Sequence, residues 1–199
     1  MIESMLLGGK SSVPAGQVMY TAANTFSFVV PAGVNEISAY ARGSGGGGGY
    51  GNTSYRGLAG GPGGIGGSSY ANKIPVTPGE TLTVRIGAGG GTPGPGAVTQ
   101  LLRDDVVLLT ATAGAAGYNS SGTGSSENNP GSPGPAAGAI PGATGLGTGN
   151  ALPGSGGNGG KGYGFSGGYT ASKGINGCMR IIWGSNRAFP STNVADVVA

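Results

Sequence analysis

Side chains that could perform chemistry are few in this sequence. The chain has no histidine and one cysteine, Cys178, so the usual general base and the commonest metal ligand are missing. Among seven carboxylates only Asp104 and Asp105 are adjacent, and adjacent aspartates more often initiate a hairpin turn than share a proton. The stretch GSGGGGG, residues 43–49, fits a dinucleotide-binding pattern, but no helix is predicted after it. We therefore predict no catalytic residue, no metal site, no cofactor and no enzymatic activity.

Aromatic side chains within glycine-rich sequence are the best candidates for binding. A tyrosine on a glycine-rich backbone offers a flat apolar face with a hydroxyl edge at a low cost in side-chain entropy, which suits sugar rings and protein surfaces. The alternative is that these rings pack onto their own glycine segments and contact no partner. Six residues form this predicted receptor-contact or partner-contact set: Tyr50, Tyr55, Tyr118, Tyr163, Phe165 and Tyr169.

Charge and hydropathy argue against two classes of partner. Ten Lys and Arg residues against seven Asp and Glu residues give a net charge of +3, and the basic residues are scattered along the chain. Nucleic-acid binding needs a concentrated basic patch, so we expect no nucleic acid as partner. No apolar run approaches the roughly 20 residues of a membrane helix, so we expect no membrane insertion. The start of the chain shows no secretory leader.

The segments between the glycine-rich stretches are typical of β-strands. Phe26, Phe28 and Val30 alternate with smaller or polar neighbours, and after a turn at 31–33 the alternation resumes from Ile37, which predicts a strand pair. A second turn, at residues 104–105, predicts a hairpin. With weaker runs elsewhere, we expect about eight short strands and no helix. An all-β antiparallel β-sandwich follows, in which each sheet covers the apolar face of the other.

Glycine is concentrated in three blocks rather than spread along the chain. Of 48 glycines, 13 lie in residues 43–66, 6 in 87–96 and 22 in 113–177. The glycines do not keep the strict three-residue period of collagen. Two interpretations stay open: mobile surface loops, or polyproline-II-like segments that hydrogen-bond backbone to backbone in a compact polyglycine-II-like lattice.

A single domain with two flanking arms is the predicted organisation. The β-sandwich spans residues 17–184 with the glycine blocks as insertions, between an N-terminal arm (1–16) and a C-terminal arm (185–199). Ordering glycine-rich backbone costs about 1–2 kcal/mol per residue without side-chain burial to offset it. We therefore expect a homo-oligomer, with a trimer favoured, and apolar residues in the arms are the predicted assembly contacts: Leu6, Leu7, Phe189, Val194 and Val197.

Two stretches resemble proteins of tailed bacteriophages. FSFVVPAGVNEISAYARGSGGGGG, residues 26–49, resembles the start of glycine-rich domains in phage tail and fibre proteins, and MRIIWGSNRAFPSTNVADV, residues 179–197, is similar to the terminus of virion structural proteins from phages that include those infecting cyanobacteria. A more distant likeness is to the adhesins at the fibre tips of T-even-like phages, whose glycine segments form a packed polyglycine sandwich that displays variable loops.

The resemblance implies a non-enzymatic virion structural protein located in the tail rather than the capsid. A tail fibre or baseplate component that contacts the host through its glycine- and tyrosine-rich loops is the leading interpretation. Its expected partners are other copies of itself, other virion proteins, and a host surface glycan or outer-membrane protein. A capsid decoration or head-fibre protein is one alternative. A free secreted ice-binding or cell-wall-binding protein is another, although the threonines lack the regular spacing typical of ice binding.

Overall fold

The computed structural model describes residues 14–51, 60–120 and 171–189, and these residues are all-β. Eight strands form, and no helix occurs in the described ranges. Both features were predicted from the alternation of apolar and polar residues. In chain order the strands are β1 (Gly16–Tyr20), β2 (Thr25–Val29), β3 (Glu36–Arg42), β4 (Ser68–Pro75), β5 (Thr81–Arg85), β6 (Thr99–Arg103), β7 (Val106–Ala111) and β8 (Cys178–Trp183).

The strands form two antiparallel sheets of four. The first sheet has the order β1-β8-β3-β4 and the second has the order β2-β5-β6-β7, which confirms the predicted β-sandwich. The predicted strand pair around the turn at 31–33 is wrong, because β2 and β3 belong to different sheets. Gly33, with a φ of 79°, allows the sharp turn by which the chain crosses between layers. Phe28 and Ile37 then face the same core from opposite sides.

The core lies between the two sheets and takes alternate residues from each. Leu82 and Leu101 of the second sheet and Met179 and Ile181 of the first have no measurable exposure. Burying a side chain of this size contributes about 1.5–3 kcal/mol, so this layer carries most of the hydrophobic stabilisation of the sandwich. This alternation also fixes the register of each strand, because a slip by one residue would turn its core-facing residues to the opposite face of the sheet.

The hairpin predicted at residues 104–105 is confirmed. Strands β6 and β7 pair antiparallel on either side of it. Asp104 and Asp105 have φ values of 45° and 63°, the left-handed backbone at both central positions that a type I′ turn requires. The adjacent carboxylates are therefore explained by the turn that they form.

The outer face of the first sheet is covered by the residues that follow β8. Tyr40, Cys178, Ile182 and Phe189 form a second apolar cluster there. Phe189 is 8% exposed, and its ring centroid lies 5.7 Å from that of Tyr40. The side chain of Asn72 accepts a hydrogen bond from the Phe189 amide and donates one to its carbonyl. Phe189 thus packs on its own chain, and the contact with a neighbouring subunit that we expected of it stays a prediction.

Five glycine-rich segments continue the strands beyond one end of the sandwich. We call them the glycine bundle: residues 43–49, 60–67, 87–97, 112–118 and 172–177. The first follows β3, the second precedes β4, the third joins β5 to β6, the fourth follows β7 and the last precedes β8. Each segment thus leaves or enters the sandwich as a direct extension of a strand.

Residues 43–49 form the central segment of the bundle, and their amides donate hydrogen bonds to three neighbouring segments in turn. The first, fourth and seventh amides donate to carbonyls within 61–67, the second and fifth to carbonyls within 94–97, and the third and sixth to carbonyls within 172–175, at 2.8–3.3 Å. A direction that repeats every three residues is that of a polyproline-II-type helix, which has no internal hydrogen bonds. The predicted polyglycine-II-like packing is therefore confirmed for these segments.

The bundle inherits its alignment from the strands. Arg42 pairs with Ser68 in the first sheet, and the next amide, that of Gly43, donates to the preceding carbonyl, that of Gly67. Other bonds join the two sheets: the Gly64 amide, on the extension of β4, donates to Ala115 on the extension of β7 at 2.8 Å. The two layers of the sandwich thus merge into one hydrogen-bonded body at this end.

Glycine is required in the bundle because the backbones approach closely, not because φ is positive. A Cβ atom built on Gly46 would lie closer than 3.0 Å to the carbonyl oxygen of Ala115, and one on Gly47 equally close to that of Gly91. A Cα hydrogen occupies this direction instead and makes a weak Cα–H···O contact. A side chain at either position would push apart segments that hydrogen bonds hold together.

Ser44 is the exception within the central segment. It is fully buried, its hydroxyl donates to the Ala88 carbonyl at 2.6 Å, and it accepts from the Ala97 amide at 2.7 Å. Its oxygen fills the space that the missing side chain of Gly96 leaves. The hydroxyl therefore ties the central segment to both arms of the link between β5 and β6.

Gly47→Ala is expected to lower the free energy of unfolding by about 2–3 kcal/mol, because the added methyl group meets backbone that cannot move away. Gly91→Ala is the matched control, since a Cβ there meets no atom within 4 Å. This control should be neutral or stabilising by up to about 1 kcal/mol, as expected where alanine only restricts the unfolded chain. Urea unfolding followed by circular dichroism measures both. Equal effects of the two substitutions would contradict the close packing described above.

Glu80 connects the turn before β5 to β6. Its carboxylate accepts from the Thr77 amide at 2.8 Å and forms an ion pair with Arg103. The Thr77 amide first, and Arg103 second, lower the pKa of the Glu80 carboxyl from its usual value. The folded state thus favours the ionised carboxylate.

The stability that Glu80 contributes should be present above its unfolded pKa and should be lost as pH falls through its lowered pKa in the folded protein. Glu80→Gln is therefore expected to destabilise the protein at neutral pH and to reduce the loss of stability on acidification. Glu36→Gln, which also removes one carboxylate but at an exposed position of β3, is the matched control. Thermal unfolding from pH 7 to pH 3 compares the variants, and parallel profiles would exclude this role.

Candidate functional site

The far end of the glycine bundle presents its exposed aromatic residues. We call it the distal end: residues 50–51, 60–61, 92 and 118–120. Seven residues of central segment at about 3.1 Å each place it about 20 Å beyond the sandwich. The aspartate turn and the start of β1 lie at the opposite end, because Gly16 pairs with the last residue of β8. The described chain therefore has two chemically different ends.

Tyr50 is fixed at the distal end although half of it is open to solvent. It is 50% exposed. The Asn119 side-chain oxygen accepts from its amide at 2.8 Å, and the Ser120 amide donates to its carbonyl at 3.0 Å. Its hydroxyl donates to the Thr92 carbonyl. Both its backbone and the far edge of its ring are thus held by the protein, and the hydroxyl is already satisfied.

Tyr118 lies next to Tyr50 on the neighbouring segment and is 58% exposed. Its carbonyl accepts from the Gly61 amide at 2.9 Å, so its backbone belongs to the bundle. No hydrogen bond holds its hydroxyl within the described part of the chain. The structure therefore brings together Tyr50 and Tyr118, the two predicted contact residues that it describes. A hydrogen bond holds the hydroxyl of Tyr50, whereas the hydroxyl of Tyr118 has none within the described residues.

The other predicted contact residues, Tyr55, Tyr163, Phe165 and Tyr169, lie outside the described residues. Their segments nevertheless join the described chain near the same place. Residues 52–59 leave it after Gly51 and return at Gly60, and residues 121–170 leave it after Ser120. The return point lies close by, because Ser172 accepts from the Gly48 amide at 2.9 Å. The distal end is thus the attachment point for both segments.

The predicted assembly contacts other than Phe189 also lie outside the described residues. Leu6 and Leu7 belong to the segment that enters at residue 14, beside the start of β1 and opposite the bundle. Val194 and Val197 belong to the segment that follows Phe189. Their assembly role stays a prediction.

The distal end has the chemistry of a contact surface. Within the described ranges, no three His, Cys, Asp or Glu residues are grouped so that they could hold a metal ion. The four described carboxylates, Glu36, Glu80, Asp104 and Asp105, sit at or near the opposite end of the sandwich. Burial raises the pKa of the Cys178 thiol to about 11, so the sulfur stays protonated at neutral pH and is a poor nucleophile. Tyr50 instead offers one aromatic face, and the neighbouring side chains place amide and hydroxyl groups around it.

Sequence reasoning missed the residues that hold Tyr50. Thr92 and Asn119 lie 42 and 69 positions away in the chain, and nothing in the local pattern indicates either contact. Both become neighbours of Tyr50 only because the bundle aligns their segments with the central one. The proline-containing stretch around Thr92 and the polar residues after Tyr118 are signals of a loop and carry no more information than that.

The fold and this site define an all-β protein in which a sandwich carries a polyglycine bundle with aromatic residues at its end. The chain belongs to the glycine-rich domain family, whose model matches residues 21–193. No curated protein matches the sequence. Among the residues that the structure describes, no helix is both long and apolar enough to span a membrane.

Asn119→Ala is expected to speed hydrogen exchange at the Tyr50 amide by about fivefold, because it removes the oxygen that accepts from this amide and such a bond contributes about 1 kcal/mol. Asn119→Asp keeps an acceptor at the same position and is the control, with little change expected. Amide exchange measured by NMR reports on Tyr50 and on the glycines of the central segment together. Exchange of Tyr50 at the same rate in the alanine variant and the unchanged protein would show that Asn119 does not hold it.

Proposed function

We propose that this protein is a non-enzymatic structural component of a bacteriophage virion, in the tail fibre or baseplate, and that it contacts the host receptor through the distal end. One observation carries the proposal: a bundle whose central segment has an acceptor for every amide holds Tyr50 and Tyr118, at 50% and 58% exposure, about 20 Å beyond the sandwich. An internal scaffold has no need of large exposed aromatic faces at its far end. A surface that meets a partner does.

Rigid presentation is what makes this end suitable for attachment. Every amide of the central segment has an acceptor, so the bundle holds Tyr50 in place before any partner arrives. Binding then costs less than it would if a flexible loop had to be ordered first. The resemblance of residues 26–49 and 179–197 to phage tail and fibre proteins supplies the class of particle.

The opposite end of the molecule suits attachment to the virion. The segment that contains Leu6 and Leu7 enters there, next to the start of β1. In this arrangement other virion proteins, and further copies of the chain in a homo-oligomer, meet the sandwich end. A host surface glycan or outer-membrane protein meets the distal end. Anchoring and recognition are then separated by the length of the bundle.

Immunogold labelling of intact virions with antibody against this chain is the first test. Gold at the distal tail is the expected result. Gold over the head would assign the chain to capsid decoration and would remove the receptor role. The absence of gold from every virion would contradict the whole proposal and favour a free binding protein.

Competition with phage adsorption then tests the contact surface. Purified protein should inhibit adsorption, and Tyr50→Ala with Tyr118→Ala should weaken inhibition by at least about tenfold, the effect of losing about 1.4 kcal/mol of binding free energy. Val106→Ala is the control, because Val106 is 64% exposed but follows the aspartate turn at the opposite end. Equal inhibition by the tyrosine variant and the control would exclude the distal end as the receptor contact.

A further inference from the structure

Tyr50 differs from an ordinary exposed aromatic residue because three hydrogen bonds fix it. Its amide, its carbonyl and its hydroxyl are each bonded, to Asn119, Ser120 and Thr92 respectively. Immobilising a free side chain on binding costs about 0.5–1.5 kcal/mol, and here folding has already met that cost. A tyrosine that serves only solubility would leave its hydroxyl in water. Here the hydroxyl is turned back to the protein, and half of the residue stays open.

We propose that Tyr50 is a stacking platform for one ring of a neutral saccharide. One face of a pyranose ring carries mainly C–H groups, which pack on an aromatic face, and its hydroxyls lie around the rim. The proposal concerns the end of the molecule that the proposed function also uses, and it names the class of ligand bound there. It holds for a saccharide from any source, so it can stand or fall separately from the phage assignment.

The residues around Tyr50 match the rim of a sugar ring. Asn119 is exposed and Thr92 is half-buried, and each bonds Tyr50 through one oxygen, which leaves the Thr92 hydroxyl and the Asn119 amide nitrogen to meet ligand hydroxyls. Thr92, Asn119 and Ser120 are uncharged, so the side chains joined to Tyr50 favour a neutral ligand over an acidic one. A stable protein partner needs about 800 Å² on each side, far more than one aromatic face with a few polar neighbours offers. A single sugar ring fits the smaller area.

Tyr118 is the second, adjustable contact. Its backbone is held by Gly61 and its ring is 58% exposed, but its hydroxyl has no hydrogen bond within the described residues. It can therefore turn toward a neighbouring sugar ring, and it contributes less than the fixed ring because it must be ordered on binding. Tyr50 and Tyr118 consequently respond differently to removal of the hydroxyl group alone.

Saturation-transfer NMR on the full chain tests the proposal with neutral tetrasaccharides built from glucose, galactose, mannose and N-acetylglucosamine. We expect at least one to bind, with the strongest transfer to the C–H protons of one ring face. Tyr50→Ala should weaken binding by at least about tenfold. Tyr50→Phe keeps the ring but loses the bond to Thr92, and should weaken binding about threefold. Tyr118→Phe should weaken it by less than Tyr50→Phe does, and Val106→Ala, at the exposed opposite end, should leave it unchanged. The amide spectrum of the central segment verifies that each variant is folded.

Three results would overturn the proposal: no binding to any of the four tetrasaccharides, unchanged affinity in Tyr50→Ala, or equal effects of Tyr50→Phe and Tyr118→Phe. Gold at the phage tail without saccharide binding rejects this inference and keeps the proposed function. Saccharide binding without gold on virions keeps this inference and rejects the proposed function. Where adsorption is inhibited, loss of inhibition after periodate treatment of the host surface supports a saccharide. Loss of inhibition after protease treatment alone identifies a protein receptor and rejects the saccharide proposal.

Discussion

Hydrogen bonding between glycine backbones is the interaction on which the rest of the structure depends. A buried backbone amide without an acceptor is costly, and residues 43–49 meet this requirement outside any sheet by serving three neighbours in turn. The distances close only where no Cβ intervenes, as Gly46 and Gly47 show. Composition that would ordinarily indicate a flexible linker therefore produces an ordered body. What glycine loses in conformational entropy is offset by peptide groups bonded on every side of the central segment.

The bundle and the sandwich depend on each other for alignment. The hydrophobic alternation of β3, β4 and β8 fixes how these strands pair, and the same offsets carry on into residues 43–49 and their neighbours. A slip by one residue in β3 or β8 would turn its core-facing residues to the outer face of the sheet and would also bring the wrong residues together in the bundle. In return, bonds between extensions of the two sheets, such as Gly64 to Ala115, tie the layers together. The small hydrophobic core and the hydrogen-bonded bundle thus stabilise this glycine-rich chain together.

Local pattern predicted the elements well and their long-range partners poorly. Period-two alternation located the strands, and the adjacent aspartates located the hairpin, because both signals are local. The assignment of β2 and β3 to one pair failed because a turn such as 31–33 serves equally for a hairpin and for a crossing between layers. The packing of Phe189 on Tyr40 and the fixing of Tyr50 by Thr92 and Asn119 join residues more than 40 positions apart. The sequence showed which aromatic residues lie in glycine-rich segments. Which of the described ones are held by hydrogen bonds depends on how the bundle aligns those segments.

A bundle made of backbone offers few side chains along its length, and this confines the recognition that we propose to its end. Within the central segment Ser44 is the single side chain, and it is buried and used for packing. At the distal end the close packing of backbones ends, so the side chains of Tyr50 and Tyr118 have room to project. The same hydrogen bonding that excludes side chains from the bundle holds the backbone of these two residues in place. The rigid support of the two residues and their exposure in the described structure both follow from the glycine packing, and together they underlie the recognition surface that we propose.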